Sequence, residues 1–185
     1  MKHFRLLRSG FDVGPVVEQL AAHPELWDQY PARTALAGSP HVETSDIWLR
    51  FRDQGELVRR EDYGTPHFAV FYPAWYALPA AHAIVFRLMA EVKAVYLGGI
   101  LITRIPAGAC VRPHHDRGSW HAEYLNTKVY VVLKANDQCT NWCEDERVIM
   151  RPGDAWEFEN LRTHGVINDG DTERLALIVT MRCEP

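Results

Sequence analysis

From Gly98 onward the chain breaks into short β-forming runs separated by turns, and this texture limits the fold more than any other feature. The runs are 99–106, 128–133, 139–143, 147–150, 155–159, 164–168 and 173–182. Their Val, Ile, Thr and aromatic residues suit a pleated, half-buried surface. "RPGD" (151–154) and "NDGD" (168–171) carry turn chemistry, the second expected to close a short hairpin. Seven short strands in roughly ninety residues point to a sandwich or barrel.

The first half of the chain reads differently. Asp12 is placed to cap a helix with Pro15 in its first turn, and Val16, Val17, Leu20 and Ala21 form its apolar stripe. A second helix is expected after Pro79, where Ile84, Val85, Leu88, Met89 and Val92 recur at helical spacing. Between them, 46–51 and 67–72 read as strands. With 185 residues, no repeats and no linker, the expectation is one domain over 1–185. Residues 1–96 would support a core at 97–182.

Charge and apolar runs narrow the function classes. The formal charge is −4 with scattered Lys and Arg, which lacks the basic footprint of a nucleic-acid binder. "RFRDQGELVRRED" (50–62) is interrupted by carboxylates and reads as a solvated face. No run reaches the roughly 18–20 apolar residues of a membrane span, and the N-terminus lacks the apolar core of a signal peptide. No membrane association is expected, and the default location is cytoplasmic.

The chemistry-bearing candidates are few. In "RPHHDRG" (112–118), His114 and Asp116 would share one face of a strand while His115 points away. An imidazole and a carboxylate suit a divalent first-row metal, and a distant second histidine would complete a two-His-one-carboxylate triad with open positions. Taken alone, the pair reads better as a surface turn in which Asp116 pairs with Arg112 or Arg117. Cys139 and Cys143 form a C-x3-C without the second Cys/His pair of a zinc site, and their role stays open. His3, His23, His41, His67 and His82 show no paired spacing and read as surface or capping residues.

Downstream, "RPGD" leads into an aromatic strand, Asn160 leads on to His164, and Arg174 lies ten residues beyond. Upstream, "ILITRIPAGACVRPHHD" (100–116) delivers His114 from an apolar strand. This order resembles the catalytic domain of the aspartyl/asparaginyl β-hydroxylase family of iron(II)- and 2-oxoglutarate-dependent oxygenases. The likeness covers roughly 97–182 and, more loosely, 43–51. It implies a mainly β double-stranded β-helix, a jelly-roll or cupin-like barrel, with the N-terminal helices packed outside.

The resemblance further implies iron ligation by His114, Asp116 and His164, with O2 as oxidant. Arg174 would grip the far carboxylate of 2-oxoglutarate, as a guanidinium can through paired hydrogen bonds. Strand parity alone leaves the side that Arg174 faces open. Lys128 and Tyr130 stand where the family shows Arg-x-His, and Thr103 where a hydroxyl residue often assists. The family's aspartate near the end of the last strand is absent. Trp48, Arg50, His115 and His121 are candidates for contact with the substrate. The implied activity is hydroxylation of an amino-acid-like or peptidyl (Asp/Asn-type) substrate, small molecule or peptide, with release of succinate and CO2. A non-catalytic cupin-like binding module, and a metal-dependent cupin enzyme without 2-oxoglutarate, are the competing readings. The sequence assigns no oligomeric state.

Overall fold

The computed structural model describes the whole chain except residues 37, 57–61, 63, 64, 119 and 185, and the side chain of residue 121. The strands are β1 (Phe4–Arg8), β2 (Ser45–Arg52), β3 (Ala69–Phe71), β4 (Ala94–Ile105), β5 (Cys110–His114), β6 (Thr127–Lys134), β7 (Cys139–Cys143), β8 (Glu146–Ile149), β9 (Ala155–Phe158), β10 (His164–Asn168) and β11 (Arg174–Cys183). The α-helices are α1 (Gly14–Ala22), α2 (Ala32–Ala35), α3 (Pro73–Ala77), α4 (Ala80–Val92) and α5 (Trp120–Tyr124). None among the described residues is long and apolar enough to cross a membrane. Part of the 50–62 stretch, 57–61, lies outside the described residues.

Two antiparallel sheets face each other. The larger runs β1-β9-β6-β11-β4-β2-β3 and the smaller β5-β10-β7-β8. This is the mainly β jelly-roll architecture that the family resemblance implied, and it agrees with the sandwich or barrel read from the strand texture. The first half of the chain supplies β1, β2 and β3 to the larger sheet, so it builds the barrel wall as well as bracing it. Neither β1 nor β5 is among the runs read from sequence.

The larger sheet is covered on both faces, which explains why β11 is buried along nearly its whole length instead of alternating. On its outer face, Ile100, Ile102, Leu177 and Val179 pack against Leu20 of α1 and Ile84 and Leu88 of α4. The α4 stripe of Ala81, Ile84, Val85 and Leu88 is the helical periodicity visible in the sequence. α1 starts one residue later than expected: Val13 occupies the N-cap, and the Asp12 carboxylate accepts the Gly14 N–H at 3.3 Å. On the inner face, Trp48, Leu101, Tyr130, Trp156 and Ile178 meet Cys143 of the smaller sheet.

The turn at Pro152-Gly153 forms as expected, with Gly153 at φ +84°. The "NDGD" segment does not close a hairpin. β10 pairs with β5 and β7, whereas β11 pairs with β4 and β6, so the chain crosses between sheets. Buried Asn168 holds that corner: its Nδ2 donates to the Ile105, Pro106 and Thr172 carbonyls at 2.9–3.1 Å. A side chain satisfied by several main-chain carbonyls replaces the hydrogen bonds a hairpin would have supplied.

Candidate metal centre

His114 ends β5 and His164 begins β10, and the two are direct cross-strand partners. Cross-strand partners share a face of the sheet, so both rings enter the barrel, with centroids 4.2 Å apart. Gly165 follows His164 because a side chain there would meet the Val111 carbonyl and the Trp142 ring within 3 Å. Asp116 lies beyond the end of β5, so strand alternation does not align it with His114. A turn does so instead, held by the Asp116 N–H donating to the Asn160 carbonyl at 3.0 Å.

The ligand atoms of His114, Asp116 and His164 all fall within 4.8 Å of one another, the one such cluster among the described residues. Each histidine Nδ1–H donates to a carbonyl two residues back, His114 to Arg112 at 2.8 Å and His164 to Arg162 at 2.9 Å. A carbonyl only accepts, so each proton sits on Nδ1 and each Nε2 presents a lone pair. Both Nε2 atoms are buried without a hydrogen-bond partner. Two bare imidazole nitrogens and a carboxylate fit a facial iron(II) site.

Asp116 is gripped from behind. Its Oδ2 accepts from Lys128 Nζ at 2.8 Å and Asn160 Nδ2 at 2.9 Å, while Oδ1 lies 3.8 Å from His114 Nε2. Burial would raise the carboxyl pKa, but the Lys128 charge and these hydrogen bonds hold it far below its ordinary value. The same carboxylate keeps Lys128 protonated against the opposing effect of burial. Lys128→Met or Asn160→Ala is expected to weaken iron(II) affinity about 10- to 100-fold, the usual cost of losing a ligand's supporting hydrogen bond. Metal titration monitored by calorimetry reads this directly, and unchanged affinity would show that Asp116 needs no such support.

Burial, reinforced by the Lys128 charge, pushes the His164 pKa down to about 3, and burial likewise lowers that of His114. In the unfolded chain His164 returns to about 6.5. Between these values the unfolded state binds the extra proton, so the folded state loses stability as the pH falls. The metal-free protein is expected to show a falling Tm from about pH 6.5 toward pH 4, with a shallower slope in His164→Gln. Equal slopes would remove His164 as a source of the acid sensitivity.

Arg174 is 2% exposed and faces the barrel interior. Its Nη2 donates to Asn141 of β7 at 3.1 Å, and its guanidinium lies over the Tyr130 ring at 5.5 Å. Its Nε has no partner, and no carboxylate pairs with it among the described residues. The choice that sequence parity left open is made by the crossover, because β11 belongs to the sheet facing β10. Tyr130 and Lys128 share that interior face, and Phe158 lies between Tyr130 and His164, at 4.7 and 5.0 Å by ring centroids.

The other candidates separate. Thr103 is buried on the interior face and donates to Asp46 Oδ1 at 2.7 Å. Trp48 is buried among Tyr30, Phe51 and Tyr72. A bulge between Trp48 and Arg50 breaks their alternation. Arg50 donates to the Leu97 and Gly98 carbonyls and lies against Phe71 and Tyr96. His115 is exposed between His114 and Asp116 in the chain, and His121 lies in α5. Cys139 and Cys143 are buried free thiols. Burial raises the Cys143 pKa to about 11, so in the metal-free protein it stays a thiol.

Sequence reasoning missed four residues around the site. Asn160 steadies Asp116, and the half-buried His41 sets its ring edge-on to His114 at 5.0 Å instead of acting as a surface histidine. Arg33 and Asp46 form a 2.5 Å ion pair next to Thr103. Nothing in the sequence spacing links His41 to His114. Residues 40–43 strap the open edge of β5, with the Arg112 N–H donating to the Pro40 carbonyl and the Cys110 N–H to the Glu43 carboxylate. Beside Asp116 and Lys128 lies a cavity of about 300 Å³ that His41 and Arg33 also line.

The family model described as aspartyl/asparaginyl beta-hydroxylase matches residues 62–183, about two thirds of the chain. No curated protein matches the sequence. Among solved structures, the chain is similar to a prolyl hydroxylase from Trichoplax adhaerens in complex with a hypoxia inducible factor peptide fragment. The TM-score there is 0.60 at 14% identity, over 97% of this chain and 83% of that one. It is similar to the viral collagen prolyl hydroxylase of Paramecium Bursaria Chlorella virus-1 with TM-score 0.59 and 8% identity, covering 98% and 97% of the two chains. An oxidoreductase of the 2OG-Fe(II) oxygenase family from Burkholderia pseudomallei aligns with TM-score 0.53 and 11% identity over 75% of this chain, which spans 66% of that chain. At such identities these structures show a shared fold.

Proposed function

We propose that this chain, which belongs to the aspartyl/asparaginyl β-hydroxylase family, holds iron(II) with His114, Asp116 and His164 and binds 2-oxoglutarate through Arg174. As a family member it is a 2-oxoglutarate-dependent hydroxylase whose cofactors are iron(II), 2-oxoglutarate and O2. When bound, the metal and 2-oxoglutarate supply the oxidising chemistry, which places one oxygen atom of O2 in succinate and the other in a C–H bond of the substrate, with release of CO2. All 185 residues act as one domain in this reading. The substrate carries an aspartyl- or asparaginyl-type group, in a peptide or an amino-acid-like molecule.

One observation carries the proposal: two unpartnered, buried Nε2 atoms converge with a carboxylate already held on its far oxygen. The protein's own work is orientation. The Arg112 and Arg162 carbonyls fix the tautomers of His114 and His164, and Lys128 with Asn160 fixes Asp116. Arg174 supplies a buried permanent cation whose charge is offset by no protein carboxylate among the described residues, which suits one end of a dianion. Tyr130 packs under that cation and against Phe158, whose ring in turn meets His164.

Anaerobic titration of the iron(II)-loaded protein with 2-oxoglutarate tests this. Chelation is expected to produce a visible charge-transfer band that His164→Ala loses. Iron binding without any band would instead favour a cupin-like module or an enzyme that does not use 2-oxoglutarate.

A further inference from the structure

We propose that the cavity beside Asp116 is the substrate site, and that it takes a small free carboxylic acid of amino-acid size held through its carboxylate by Arg33 and His41. This rests on the oxygenase reading above and narrows its substrate.

Position comes first. Along β11 the interior row runs Arg174, Ala176, Ile178, Thr180. Ile178 and Thr180 line the cavity and Arg174 does not. Ile178 is four positions along the strand from Arg174, about 13 Å at a rise of about 3.3 Å per residue. With the co-substrate directed to the Arg174 end, the cavity is left for the molecule to be oxidised.

Charge comes next. Among the described lining residues, Arg33, Arg52 and Lys128 face one carboxylate, Asp116. Lys128 is committed to Asp116. Arg52 is committed to Glu56 and to the Asp62 and Thr65 carbonyls. Arg33 uses Nη1 on Asp46, and a guanidinium has five N–H donors in all. His41 lines the same cavity, and its Nδ1 is buried without a partner. A buried polar atom left unpaired is costly, so it marks a place a ligand would satisfy. Together they read an acidic group.

Size and the strapped edge of β5 favour a small molecule. About 300 Å³ is at the low end of ligand cavities. Phe51, Leu101, Leu125 and Ile178 give it apolar walls for a carbon skeleton. The strap at residues 40–43 already occupies the edge of β5, so a peptide cannot add there as a strand.

The test measures succinate release by the iron-loaded enzyme with free L-amino acids, the same acids as carboxamides, and end-blocked peptides containing Asp or Asn. A free acid is expected to raise succinate release above the substrate-free rate, and its carboxamide to need at least tenfold more for the same effect. Anaerobic calorimetry of the acid should follow the same order. Arg33→Met is expected to raise the KM of the acid at least tenfold and erase the acid/amide difference, while 2-oxoglutarate still gives its charge-transfer band. Arg33→Lys, which keeps a cation for Asp46, should fall between. His41→Phe, which preserves the ring against His114, should also raise KM. The proposal fails if the carboxamide or a blocked peptide serves as well as the acid, if no acid stimulates while substrate-free release persists, or if all three variants keep the wild-type KM. Absence of both the band and substrate-free release in the wild type overturns the oxygenase reading, and this inference with it.

Discussion

His164→Ala is expected to abolish stoichiometric iron(II) binding and to reduce succinate release by more than about 100-fold. The bound follows from comparison with outer contacts: losing a residue that merely supports a metal ligand costs about 10- to 100-fold, and His164 would be a ligand itself. Three donors already leave open positions, and losing one leaves a two-donor site whose neighbours are His41, the Cys143 thiol and the Phe158 ring. His114→Ala should behave alike, since its Nε2 occupies the mirror position across the β5–β10 ladder. Anaerobic iron titration, with circular dichroism to confirm folding, checks both. Tight stoichiometric binding by either folded variant would refute the ligand assignment.

Arg174→Ala is expected to raise the 2-oxoglutarate requirement by one to several orders of magnitude. Truncating one member of a buried charge pair costs on the order of 2–5 kcal/mol, and each 1.4 kcal/mol is about tenfold. The site makes the upper part of that range reachable: the guanidinium is buried, no protein carboxylate among the described residues answers it, and Asn141 and Tyr130 offer only an amide oxygen and a ring face. Arg174→Lys should recover part of the loss, because an ammonium retains charge without the planar fork. The KM for 2-oxoglutarate, measured apart from iron affinity, gives the answer. An unchanged KM would remove Arg174 from the co-substrate pocket.

Much of this molecule is written locally. The alternation of turns and β-branched runs after Gly98 marks the strands there except β5, and the i, i+3, i+4, i+7 stripe of α4 marks that helix, because both depend on neighbours a few residues apart. The metal pair could be suspected for the same reason, being two residues apart. Yet the argument that suggested it was incomplete: Asp116 reaches His114 through a turn pinned to Asn160, forty-four residues away, and not through strand alternation.

What the sequence by itself determined was composition of elements and identity of candidates: a mainly β chain, a His-x-Asp pair, a distant His and an Arg. Tertiary structure alone decided which way Arg174 faces, that Arg50 leaves the interior at a bulge, and that His41 and Arg33 come to the cavity. The physical reason is the crossover between sheets. Strand pairing sets side-chain direction, and the partners of β10 and β11 lie far away in the chain, where no local periodicity records them.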